Sequence, residues 1–200
     1  CHFEVARNGW TAIPMLYETG IEFKLIGIWE RWDACWYTKI ATFGYHPSGS
    51  ETAFFPFFPA LMRLVSPLFG GNIVLAGIAI STTALVLALW GVQRLAARDV
   101  GDAAARRAVM YIAIFPAALF FFAPFTESLF LALAVWSMEL ARSGRWGAAG
   151  ALGLLAGMTR PVGIFLALPN LWLALSSRRG TDPRKAAEAA FKSATAKPVE

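Results

Sequence analysis

The chain is poor in the residues that build metal sites and disulfide frameworks: 200 residues hold two cysteines and two histidines. No Cys pair stands at zinc-ligand spacing, and His2 and His46 are far apart, which excludes a structural zinc finger and leaves no metal or cofactor to assign. Free thiols are the default expectation for Cys1 and Cys35. There is no Walker-type Gly-Lys loop and no Asp-x-Asp pair, so an ATPase or a nucleotide-sugar enzyme is disfavoured. Residues 1 to 29 lack the basic start, apolar middle and cleavage site of a signal peptide. They carry Glu4, Arg7, Glu18, Glu22 and Lys24 among their apolar residues and do not read as a spanning helix. Charge is scarce as well, at 16% of residues.

What fills the chain is apolar: 57% of residues are hydrophobic and the mean hydropathy is +0.52, a balance that a water-soluble globule of this size has difficulty hiding. The residues are blocked into runs. Asn72 to Gln93 is free of charge and long enough to cross about 30 Å of hydrocarbon. Further runs follow at Ala108 to Thr126, Ser128 to Met138, Trp146 to Thr159 and Pro161 to Ser177. This pattern predicts five membrane segments in an all-α polytopic bundle, with Pro124 and Glu127 breaking one long stretch into a hairpin and Arg160-Pro161 breaking another.

The net charge of +5 lies in clusters between the runs, which argues for membrane-flanking loops and against nucleic acid. Arg94, Arg98, Arg106 and Arg107, then Arg142 and Arg145, then Arg178, Arg179, Arg184 and Lys185 mark three cytoplasmic loops. Alternating helices then place Asp33, Glu127 and Arg160 together on the opposite side. The chain divides into an unassigned segment (1–29), an exoplasmic loop and interfacial aromatic segment (30–71), a transmembrane helix bundle (72–177) and a basic cytoplasmic tail (178–200).

Several polar residues carry two readings each. In RWDACWY, Arg31, Trp32 and Asp33 form either an interfacial aromatic belt with an exposed ion pair or a site with Asp33 as general base. Glu127 is either a helix cap or a cavity-facing group. Arg160 either snorkels to the surface or grips an anionic group such as a lipid phosphate. His46 and Glu51 are either solvated loop residues or contacts to hydroxyl or phosphate. The Phe-rich segments 54 to 58 and 115 to 125 read as packing, or as a groove for an isoprenoid chain.

Four ordered strings, RWDACWYTKIATFGY, AFFPFFPALMRL, PAALFFFAPFTESLFLALAVWS and RWGAAGALGLLAGMTRPVGIFL, resemble motifs of the PIG-V-like mannosyltransferases over about residues 30 to 177. The chain looks like the N-terminal half of such an enzyme. The resemblance implies a GT-C-type helix bundle with an exoplasmic catalytic loop, transferring mannose from a polyprenyl- or dolichyl-phosphate-mannose donor to a lipid or glycan acceptor hydroxyl. It implies an integral protein of the plasma membrane in a bacterium or of the endoplasmic reticulum in a eukaryote. The motif aspartate, Asp33, is then the base, with Arg31, Trp32, His46, Glu127 and Arg160 about the substrates.

Two other classes fit parts of the pattern. A transporter or flippase accounts for intramembrane Glu127 and Arg160 but leaves the RWD string unexplained. A noncatalytic membrane subunit needs no base at Asp33.

Overall fold

In the computed structural model, the described residues are 29, 32–45 and 50–178. Arg31 and His46 lie outside them, as do residues 1–28 of the N-terminal segment and nearly all of the basic tail. The described residues are mostly helical and contain no strand.

The first part of the expected exoplasmic loop is a helix, α1 (Asp33–Phe43). Its residues DACWYTKIATF contain no proline or glycine. Asp33 places a carboxylate in the first turn, where the helix dipole favours it. Gly44, at φ +82°, ends the helix by donating its N–H to the Ile40 carbonyl at 2.8 Å. A short turn at Ser50–Ala53 leads into α2 (Phe57–Val65), whose Phe58 and Met62 are fully buried. Tyr37 meets Phe54 and Phe58 edge-on at 5.3 and 5.2 Å, so the Phe-rich segment 54 to 58 is largely packing.

Asn72 caps the next helix, α3 (Ile73–Val100), by accepting a hydrogen bond from the Leu75 N–H at 3.0 Å. Its 28 residues exceed the expected run and extend about 42 Å. The chain returns through α4 (Asp102–Ile114) and the single-turn α5 (Leu119–Phe122), bent by 69° where Pro116 removes a backbone donor. After Pro124 it enters α6 (Glu127–Arg142), which runs parallel to α3. Contacts in ascending order establish that direction: Ser81 Oγ to the Phe125 carbonyl, Trp136 Nε1 to the Leu87 carbonyl, Arg94 and Arg98 to Glu139, and Arg142 to Asp99.

Gly144, at φ +74°, reverses the chain into α7 (Trp146–Thr159), antiparallel to α6, where Ser137 Oγ donates to the Ala149 carbonyl at 2.8 Å. Arg160, extended as a residue before proline must be, ends α7. A 3-10 segment Pro161–Leu166 then leads to α8 (Ala167–Arg178), whose Asn170 donates to Ser137 Oγ at 2.9 Å. The chain thus reverses at Pro124–Glu127 and at Arg160–Pro161.

Among the described residues, α3 alone is by length and composition fit to cross a membrane, with α4 and α5 as a second span if the bent pair is taken together. The five expected segments are present as helical legs, but those after Glu127 are short, because proline and charge interrupt them.

Close approach between the legs depends on glycine. A Cβ at Gly77 would lie 2.7 Å from the Pro124 Cβ, and one at Gly163 would lie 2.4 Å from backbone atoms of Ala156 and Gly157. Gly163 therefore seats the 3-10 segment directly on α7. Gly163→Ala is expected to destabilise the protein by about 1–3 kcal/mol, since the obstructing atoms are backbone. A thermal melt in detergent micelles checks it, and an unchanged midpoint would count against this packing.

Candidate functional site

The site is built where α1 meets the break between α5 and α6. Ala34, with Trp29 and Phe120 beside it, packs on Ala123 and Phe125, which fixes the first turn of α1 against the chain reversal. Tyr37 lies one helical turn after Asp33, on the same face. Its hydroxyl is 3.5 Å from Thr126 Oγ1. Arg160 arrives from the end of α7 and places Nη1 2.9 Å from Glu127 Oε1.

Tyr37 stands among all of these groups. Burial raises the pKa of its phenol; the hydrogen bond with Thr126 lowers it, the carboxylates of Asp33 and Glu127 raise it and Arg160 lowers it. Asp33, Glu127 and Arg160 are thus each close enough to act electrostatically on one hydroxyl. With its pKa held above the ordinary value of 10.0, the phenol stays protonated near neutral pH, so Tyr37 is a hydrogen-bonding group rather than a base. Asp33 is exposed at the start of α1. Glu127 and Arg160 are partly exposed.

Trp32, which precedes the aspartate, is 67% exposed and stacks obliquely on Phe120 with ring centroids 5.8 Å apart. It is the one described non-glycine residue with positive φ, at +49°. Backbone in that region is held against its preference by its surroundings and is concentrated at functional sites.

Glu51 differs from expectation. It is 1% exposed and its Oε1 pairs with Lys39 Nζ at 2.5 Å, tying the 50–53 turn to α1. A solvated loop position is ruled out, because the turn folds inward onto the helix. Cys35 likewise is disulfide-bonded, not a free thiol, and its partner lies outside the described residues. Among the described residues no group of three or more His, Cys, Asp or Glu converges to hold a metal ion.

Beside the Arg160 end of α7, an open apolar groove of about 510 Å³ runs between α7 and α8. Gly157, Gly163 and Ile164 line it near Arg160, and Trp146 lines its far end. The opposite end of the bundle is cationic: Glu139, 3% exposed, lies between Arg98 at 2.8 Å and Arg94 at 3.4 Å, and Arg142 pairs with Asp99 at 2.8 Å.

A family model described as Mannosyltransferase (PIG-V) matches residues 6–175. The chain belongs to the PIG-V mannosyltransferase family. No curated protein and no solved structure matches it. A member of this family is a sugar-transferring enzyme and has a sugar donor and an acceptor as its partners.

Of the expected site residues, Glu127 and Arg160 pair directly, Asp33 stands one helical turn before Tyr37, and Trp32 packs on Phe120. Tyr37 and Thr126 were not singled out from the sequence. The four-residue spacing of Asp33 and Tyr37 carried the signal for one of them, but it means something only on a helix.

Proposed function

We propose that this PIG-V family mannosyltransferase is a polytopic membrane enzyme that takes mannose from a polyprenyl- or dolichyl-phosphate donor. It transfers the sugar to a lipid or glycan hydroxyl on the exoplasmic or lumenal side. The observation that supports the reading is the placement of one exposed carboxylate, Asp33, and a guanidinium, Arg160, at the same end of an apolar bundle.

Asp33 accepts the proton of the acceptor hydroxyl as its oxygen attacks the anomeric carbon. The new C–O bond forms as the bond to the phosphate oxygen breaks, with that electron pair leaving on the lipid phosphate. The leaving group is anionic throughout and needs electrostatic stabilisation rather than an acid, which Arg160 supplies. Single displacement inverts the anomeric carbon. Trp32 flanks the substrates at the rim, and Arg31 and His46 belong to the same substrate-binding set.

The bilayer reading is supported by the surface. Leu64, Leu68, Ile114, Ile164 and Phe165 are all exposed, while Ser81, Ser128, Ser137 and Thr159 are buried. Lipid as solvent accounts for apolar residues outward and for small or hydroxyl-bearing residues between helices. Arg94, Arg98 and Arg142 at the other end support a cytoplasmic placement there, which leaves Asp33 on the far side. The groove beside Arg160 is apolar and about 16 Å long from Gly157 to Trp146 along α7, a fit for isoprenoid carbons attached to a phosphate on Arg160.

The test is mannose transfer by membranes carrying the protein, offered labelled polyprenyl-phosphate mannose or a nucleotide-linked mannose with glycoside and lipid acceptors. Product from the lipid donor alone, with the anomer opposite to the donor's, is the expected result. Transfer from the nucleotide sugar, or a retained anomer, would overturn the mechanism.

A further inference from the structure

The Glu127–Arg160 pair is incomplete on both sides. One guanidinium nitrogen meets one carboxylate oxygen at 2.9 Å, although guanidinium and carboxylate are shaped to meet through two parallel bonds. The second oxygen, Glu127 Oε2, is buried and has no hydrogen-bond partner, so the carboxylate bears a desolvation penalty in this position. Neither residue is locked away from solvent: Glu127 is 28% and Arg160 39% exposed in their side chains. Arg160, by contrast, is backbone-fixed between the end of α7 and Pro161. The arginine's backbone is fixed, and its guanidinium holds its present anionic partner by a single contact.

We infer that Glu127 is an internal stand-in for the donor phosphate. It occupies Arg160 in the donor-free protein and yields it to the incoming lipid phosphate, and its freed carboxylate then accepts a hydrogen bond from a hydroxyl of the attached sugar. The inference rests on the lipid-phosphate donor proposed above. Two anions crowding one guanidinium repel each other, so phosphate arrival drives the carboxylate off. The sugar is bonded to that phosphate, which brings its ring hydroxyls to where Glu127 stands. An ionised carboxylate only accepts hydrogen bonds, and a hydroxyl supplies what Oε2 lacks. The hydroxyls of Tyr37 and Thr126 make the adjoining polar wall.

The exchange has a consequence for turnover. Once the sugar has been transferred, Glu127 has no hydroxyl to hold and competes again for Arg160. The sugar-free lipid phosphate is thereby displaced, and the site favours donor over spent carrier.

Equilibrium binding of polyprenyl-phosphate mannose and of sugar-free polyprenyl phosphate, to the protein in nanodiscs, tests this. The wild type is expected to prefer the sugar-bearing lipid. In Glu127→Gln the sugar-free phosphate binds about tenfold more tightly and most of the preference is lost. Equal weakening of both lipids, or no change in either, overturns the stand-in role. Asp33→Asn is the companion variant: it keeps the wild-type binding ratio while losing transfer. A wild type that transfers mannose alongside a Glu127→Gln protein with an unaltered ratio defeats this inference alone. A wild type that binds neither lipid defeats the donor assignment and this inference with it.

Discussion

Asp33→Asn is expected to lower mannose transfer by about 10²–10⁴-fold, the usual contribution of a positioned general base. Asparagine keeps the shape of the side chain and its place in the first turn of α1, but cannot take up the acceptor's proton. Folding is expected to be nearly unaffected. Asp33 is exposed, and removing an anion from a helix N-terminus costs about 0.3–1 kcal/mol. The measurement is single-turnover transfer beside a thermal melt of the same preparation. Turnover at the wild-type rate would remove Asp33 from the mechanism. A collapsed melt would mean that the residue holds α1 in place instead.

The second large effect belongs to Arg160. Arg160→Gln is expected to reduce kcat by about 10²–10³-fold, the scale on which preorganised donors stabilise developing charge. It also leaves Glu127 as a half-buried carboxylate with no cation beside it, so a lower melting temperature should accompany the lost activity. Adding Glu127→Gln separates the two effects. The double variant should recover most of the melting temperature and none of the transfer. If stability and transfer recover together, Arg160 serves only to neutralise Glu127 and the phosphate contact is wrong.

Much of the helical plan was legible in the sequence. Runs at 72–93, 146–159 and 161–177 have counterparts in α3, α7 and the Pro161–Arg178 segment, because proline, glycine and charge interrupt helices for local reasons. The turning points at Pro124–Glu127 and Arg160–Pro161 follow from the same rule. The start of the 30–71 segment was misread as loop, since a polar composition with a Gly-Pro-Ser cluster behind it concealed eleven helical residues. Glu51 was misplaced for the same reason: an isolated glutamate in a polar string carries no sign that Lys39 will bury it.

The sequence by itself determined the PIG-V family and the all-helical class, because each rests on residue order and local backbone chemistry. Only the tertiary structure decided that the Tyr37 hydroxyl reaches Thr126, next to the Glu127–Arg160 pair. It also decided that Arg160 engages Glu127 by one contact, and that Glu139 gathers two arginines at the opposite end. Those meetings join residues far apart in the chain. Their geometry depends on how closely α3, α6 and α7 pack at Gly77 and Gly163, a distance that no local pattern encodes.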